Sequence, residues 1–274
     1  MCYKLLSFIS SLTLGLGVVI VALVLERLTW KEVDELNRDE CVVVVPVGSF
    51  EQHGYHMPLN TDAYIPYKLA LLSSERASGF KLIVAPPITY GCSEHYMGFP
   101  GTISLRAETL KLLVKDVCRS IIHHGFRRII VLNGHGGNFA PLQIAIRELK
   151  GEVNAVIALV NWWDLVADVI RGIRESKVMH HADEVETSVA LALGQRVLMD
   201  KAVDFVPEPF SDYYTLDLVS PPPKLMVFGW LKRKGAGGVV GEASKASREK
   251  GEIIVETAVS RIIDLAQRLL RIEV

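Results

Sequence analysis

Short unbroken apolar runs alternate along this chain with longer stretches in which apolar residues return every three or four positions. "CVVVVPV" (41–47), "KLIVAPPI" (81–88), "RRIIVLNG" (127–134) and "NAVIALVN" (154–161) are of the first kind. They are rich in β-branched residues and lack the polar alternation of a half-exposed strand. They therefore predict strands buried on both faces of a parallel sheet. Residues 63–77, 104–124, 141–150, 182–193 and 245–271 carry the helical period. The helix over 182–193 opens on an acidic turn, which suits the positive end of a helix dipole. Strands alternating with helices predict an α/β domain, a mostly parallel sheet with helices on both faces. Residues 206–242, rich in Pro, Gly and aromatics, fit neither pattern and read as a long excursion, a lid or an oligomer contact.

The N-terminus departs from this rhythm. "LLSFISSLTLGLGVVIVALVL" (5–25) has no charged residue, follows Lys4, and at about 1.5 Å per residue is long enough to cross a bilayer. No A-x-A cleavage site follows it. Three readings stand: a membrane anchor, an upstream extension from a misplaced start codon, or a buried or partner-covered helix. The expected organisation is a hydrophobic segment over 1–27 and one domain over 28–274, with membrane contact only through residues 5–25. A length of 274 residues suits one large α/β domain. The net charge of −1 leaves no footprint for a nucleic acid polymer. Cys2, Cys41, Cys92 and Cys118 are scattered without a CxxC pair, so neither a zinc ribbon nor a disulfide framework is indicated. A reducing, cytoplasmic location is expected, or a membrane-anchored one through the N-terminal segment.

In open parallel sheets ligands gather beyond the carboxyl ends of the strands. Three chemistry-rich stretches fall at such ends or beside them. The first is "VPVGSFEQHGYHMPLNTDAYIP" (45–66). Glu51 and His53 are two apart, so persisting strand geometry points both to one face. Gly54 and Pro58 let the loop fold back and bring Asp62 near. Two carboxylates and an imidazole make a mixed N/O set suited to Zn²⁺, Mn²⁺ or Fe²⁺. Taken alone, the stretch reads first as a loop held by hydrogen bonds with Asp62 as a helix cap. The second is "NGHGGN" (133–138), which sets His135 in a glycine-flanked turn. Such a turn entering a helix also suits phosphate. The third is "HHADEVETS" (180–188), with His181 and Glu186 five apart. A capped, solvated acidic helix start is its plainer reading. Together the three hold more ligands than one metal needs. Two ions about 3.5 Å apart share a bridging carboxylate, and Asp62, short and two-oxygened, is the expected bridge.

These blocks, with "GFPGTISL" (98–105), stand in the order of the signature blocks of the creatininase (creatinine amidohydrolase) family. From about residue 28 to the C-terminus the sequence resembles that family. The resemblance implies a Rossmann-like three-layer α/β/α fold with a central, mostly parallel sheet, often in a homo-oligomer. It implies two divalent metal ions (Zn, Mn or Fe) and hydrolysis of a non-peptide C–N bond in a small-molecule amide, cyclic amide or formamide, by a metal-bridged hydroxide. Position by position, Glu51, His53, Asp62 and His135 match metal ligands, with Asp62 bridging. His181 matches a histidine that handles protons beside the substrate.

Two departures from the family pattern matter. Creatinine-cleaving members carry Tyr-Glu after the motif histidine, and that Glu is a ligand. Here those positions are Gly136 and Gly137. Glu186 is therefore expected to complete the second metal site and to act beside His181 in catalysis. Those members also carry a Trp-Asp pair where this chain reads "SKVMHH" (176–181), so the elements that grip creatinine are absent. Other branches act as a formamide hydrolase on a pyrimidine nucleotide in flavin and deazaflavin biosynthesis, or as a peptidase trimming the precursor of a redox cofactor. A non-catalytic metal-binding accessory protein is the alternative from another class. His95 and Tyr96 either line the pocket or support the loop before "PGT". Asp183 or Glu184 is a candidate to orient the His181 imidazole. Cys92 has no base tied to it as a nucleophile.

Overall fold

The structure, a computed structural model, describes residues 21–208, 211–220 and 237–274. Five parallel strands form the central sheet: β1 (Leu23–Val24), β2 (Cys41–Val47), β3 (Lys81–Val84), β4 (Arg128–Asn133) and β5 (Val156–Asn161), in the order β1-β3-β2-β4-β5. All seven residues of β2 are buried. Val42 and Val44 enter one apolar cluster while Cys41, Val43, Val45 and Val47 enter the other. That is why the run shows no polar alternation: both of its faces are covered.

Helices α2 (Thr61–Arg76), α5 (Ala167–Ile173), α6 (Glu184–Ala192) and α7 (Arg248–Leu270) cover the first face, through residues such as Leu69, Ile170, Val189 and Ile262. Helices α1 (Trp30–Asp34), α3 (Ala107–His123) and α4 (Phe139–Lys150) cover the second, with Val33, Leu110, Cys118 and Leu142. The architecture is the expected three-layer α/β/α arrangement with a parallel sheet.

Several boundaries shift for local reasons. β3 stops at Val84, ahead of Pro86 and Pro87, which offer no backbone donor to a ladder. Ser104, expected inside a helix, instead bridges to Gly91, and α3 begins at Ala107. Asp183 is the N-cap of α6 and Ser247 that of α7, each side chain accepting from backbone N–H groups of the first turn. Leu23 and Val24 join the sheet, ahead of the expected boundary at residue 28, and Leu23 N–H donates to Ser74 Oγ at 2.8 Å. Residues 5–20 of the apolar N-terminal stretch lie outside the described residues. Among the described residues no helix is long and apolar enough to cross a membrane.

The excursion over 206–242 lies partly outside the described residues, at 209–210 and 221–236. Its described end returns to the domain. β6 (Asp204–Phe205) pairs antiparallel with β7 (Gly241–Glu242), and Val240 exchanges two backbone hydrogen bonds with His181. The register fixes where chemistry can gather. Val47 pairs with Asn133 and Asn133 with Asn161, so the exits of β2, β4 and β5 lie level at one sheet edge.

Candidate metal centre

The exit of β2 leads into a loop closed on itself by Glu51 N–H to Leu59 C=O (2.9 Å) and Met57 N–H to His53 C=O (3.2 Å). This fold-back sets Asp62, in the first turn of α2, against His53. The exit of β4 delivers His135. Around it, Asn133 Nδ2 donates to the His135 carbonyl (2.7 Å) and to Asn161 Oδ1 (2.8 Å). Asn138 Nδ2 donates to the Gly48 carbonyl (2.9 Å), tying the β4 exit to the β2 exit. Between them stands Gly134, where an added Cβ would lie 2.0 Å from the Asp62 carbonyl oxygen. Only glycine lets the two exits approach so closely.

Glu51, His53, Asp62, His135, His181 and Glu186 are thereby gathered and all are buried. Asp62 is central. Its Oδ1 lies 3.0 Å from His53 Nε2, and its Oδ2 lies 3.0 Å from His135 Nδ1 without a well-aligned hydrogen bond. The far nitrogen of each ring meets a backbone carbonyl: His53 Nδ1 meets Glu51 C=O at 3.1 Å, and His135 Nε2 meets Cys92 C=O at 3.0 Å. A ring N–H donating to those carbonyls turns an imidazole lone pair toward each Asp62 oxygen. Lone pairs facing at that distance need a cation or a proton between them. This outer tie to a carbonyl is how metal-binding histidines are oriented.

The remaining donors fit the same need. Both Glu51 oxygens are buried without a hydrogen-bond partner among the described residues. They lie 3.4 Å from His135 Nε2 and 3.5 Å from His181 Nδ1. Glu186 Oε2 accepts from Ala182 N–H at 2.5 Å, and Ala182 holds a positive φ of 49° to make that bond. One ligand atom each from His53, Asp62 and Glu186 lies within 4.8 Å of the others, as do atoms from Glu51, His53 and His181, and from Glu51, His95 and His135.

Charge points the same way. Burial pushes Glu51 up to about 7, with Asp62 adding to it and His135 opposing. Burial pushes Glu186 up to about 8, with Asp183 and Asp62 adding and His53 opposing. Burial works against the Asp62 carboxylate too, yet His53 and His135 hold it well below the usual carboxylate range. Burial alone would lower both histidines. Carboxylates overturn it, Asp62 foremost on His53 and Glu51 foremost on His135, to about 10 and about 9. Three carboxylates in a dry pocket call for positive charge, and an N/O donor set of this kind suits divalent zinc, manganese or iron.

His181 faces the same pocket. Its ring stacks on Tyr96 at 4.4 Å between centroids, and its Nε2 meets the Gln52 carbonyl at 2.9 Å and Gln52 Nε2 at 2.8 Å. Neither Asp183 nor Glu184 orients this ring, contrary to the sequence expectation. Asp183 is spent capping α6 and accepting from His180 N–H. Glu184 turns away to the N–H groups of Glu175 and Ser176 and to Lys250 Nζ. Gln52 does that work instead. In the sequence its only signal was its place between two candidate ligands. Asn133 and Asn138 were likewise unassigned, although an amide at the end of a buried strand is a sign of backbone bracing. Cys92 contributes its carbonyl; burial pushes its thiol up, away from a nucleophilic thiolate.

The segment that carries His181 is pinned from outside. Arg174 grips both Asp217 oxygens at 2.6 Å, and Asp217 Oδ1 accepts from Met179 N–H at 3.1 Å. Burial disfavours the Asp217 carboxylate, but Arg174, Ser220 and Met179 outweigh it and hold its pKa below the ordinary value. A carboxyl lowered in this way stabilises the fold above its unfolded pKa of about 3.9, and that stability fades as pH falls through the folded value. Asp217→Asn is expected to cost about 2 kcal/mol in urea unfolding at neutral pH. The gap from the parent should shrink as pH falls below about 4.

The family described as creatininase, creatinine amidohydrolase, matches residues 26–266. The creatinine amidohydrolase of Pseudomonas putida is 34% identical over 257 residues, spanning 87% of this chain and 94% of that protein. A 3-dehydro-scyllo-inosose hydrolase of Thermotoga maritima is 31% identical, over 90% of this chain and 82% of its own length. Among solved structures, one described as creatininase Mn superposes with a TM-score of 0.73 at 31% identity, covering 92% of this chain and 100% of that one.

Proposed function

This chain belongs to the creatininase family, and from that premise we propose that it is a metal-dependent amidohydrolase. Its substrate is a small molecule with a cyclic amide or formamide C–N bond. Glu51, His53, Asp62, His135 and Glu186 would hold the ions, with Asp62 shared between them. The observation that carries the reading is Asp62 itself, whose two oxygens each lie 3.0 Å from a different histidine. Glu186, His53 and Asp62 lie together as one set; Glu51 and His135, 3.4 Å apart, with Asp62 3.0 Å from the other nitrogen of that ring, would supply the other. Two divalent ions, when bound, supply a water made acidic enough to ionise near neutral pH and an electrophile for the substrate carbonyl.

The chain's own groups do the rest. The buried walls exclude bulk water, which strengthens every charge interaction inside. Asp62, Glu51 and Glu186 hold the charge that two cations require. His181, set by Gln52 and flattened against Tyr96, delivers a proton to the leaving nitrogen as general acid. The missing Trp-Asp pair at "SKVMHH" argues against creatinine as the substrate.

Glu186 gives a test specific to this chain, since Gly137 carries no ligand. Glu186→Gln is expected to lower metal content from two ions per chain to about one, with turnover falling roughly 10²-fold or more. Full metal content in that variant would remove Glu186 from the ligand set.

A further inference from the structure

We propose that His95 is a displaceable ligand of the ion held by Glu51 and His135; this rests on the binuclear reading above. His95 sits in the short turn Glu94–Tyr96, beside the carboxyl edge of the sheet. Its ring lies parallel to that of His135, with centroids 5.7 Å apart and planes 6° from each other. A nitrogen from each of these rings and a Glu51 oxygen all lie within 4.8 Å of one another. Donors on a tetrahedral ion with bonds of about 2.1 Å stand about 3.4 Å apart. A small turn of the His95 side chain closes that difference.

Ligand counting leaves a place for it. His53, Asp62 and Glu186 serve one ion. Glu51, His135 and the shared Asp62 would serve the other; each ion then has three protein donors, and here the exposed His95 lies near the fourth position, which water or substrate would otherwise take. Gly137 does not fill the gap. A Cβ there would come 2.6 Å from His135 Nε2 and 2.5 Å from the Cys92 carbonyl oxygen. The His135 ring occupies the space that a side chain at 137 would need, and His95 stacks over that ring.

Exposure makes the ligand displaceable. Glu51 and His135 are buried, whereas His95 is exposed on its turn. Its ring also lies 4.4 Å from that of Tyr96, which in turn stacks on His181. The turn thus spans the ion and the proton-handling histidine together. His95 completes the ion's shell at rest and yields its position to the substrate carbonyl.

Cobalt(II) reports this directly, because its d–d absorption follows donor number and geometry. The parent and the variants His95→Ala and His95→Gln would be loaded with cobalt(II) and titrated with a competing chelator. Both variants are expected to bind two ions, with a changed d–d spectrum and one ion stripped at roughly 10-fold lower chelator concentration. A d–d spectrum identical to that of the parent overturns the proposal, whatever happens to activity. A parent that binds no cobalt sinks the binuclear reading and this proposal with it. A parent with two ions beside unaltered variants sinks the role of His95 alone.

Discussion

Asp62→Asn is expected to give a folded protein that holds neither ion and turns over substrate at least about 10³-fold more slowly. The shape of the side chain is kept and its charge is lost. In the parent each Asp62 oxygen faces a histidine nitrogen at 3.0 Å. A neutral amide removes the negative charge that both cations would share, and its N–H faces one of the two histidines as a donor. Metal polarisation of a carbonyl contributes several kcal/mol of transition-state stabilisation, and about 4 kcal/mol is a factor of about 10³ in rate. The check is turnover of the best amide or formamide found in a screen, beside the metal retained after chelator dialysis. A variant within about 10-fold of the parent would show that Asp62 does not bridge.

Gly134→Ala is expected to damage stability and the metal site together. The new Cβ would lie 2.0 Å from the Asp62 carbonyl oxygen and 2.7 Å from Pro66 Cγ. Neither gives way cheaply. One is backbone in the first turn of α2, and the other is a ring inside that helix. Overpacking usually costs 1–3 kcal/mol when side chains yield; here backbone must move, and about 3 kcal/mol or more is expected. The same movement separates the β4 exit from α2, and so His135 from Asp62. Metal retention should therefore fall together with the unfolding midpoint. Gly136→Ala is the control: nothing stands within 4 Å of its added Cβ, and a change within about 0.5 kcal/mol is expected.

Much of this was legible in the sequence because the physics was local. β2 reads as a buried parallel strand since both of its faces are covered, and a run without polar interruptions is what such burial selects. Glu51, His53 and Asp62 are separated by a short loop, so their meeting needed only a fold-back. His135 needed the strand order as well, because β4 pairs with β2 while β3 lies between them in sequence. The expectation that ligands gather beyond strand ends covered that step.

What stayed hidden depended on side-chain direction. Asp183 and Glu184 are adjacent in sequence and both carry a carboxylate, yet one caps a helix and the other turns to Lys250. Period and composition carry no information on that choice. Gln52 lies between two candidate ligands, and its contact with His181 spans 129 positions. The antiparallel pairing of Val240 with His181 comes from a segment whose Pro, Gly and aromatic composition offers no period to read. β1 was masked by its own neighbours: Leu23 and Val24 end a long apolar stretch whose length, rather than its last residues, drew the reading.

Metal content per chain, measured by elemental analysis on anaerobically purified parent protein beside the Asp62→Asn variant, tests the Asp62-bridged centre most directly. Two divalent ions per chain in the parent, and none in the variant, is the predicted result. At most one ion in the parent, or two in both proteins, would contradict a centre bridged by Asp62.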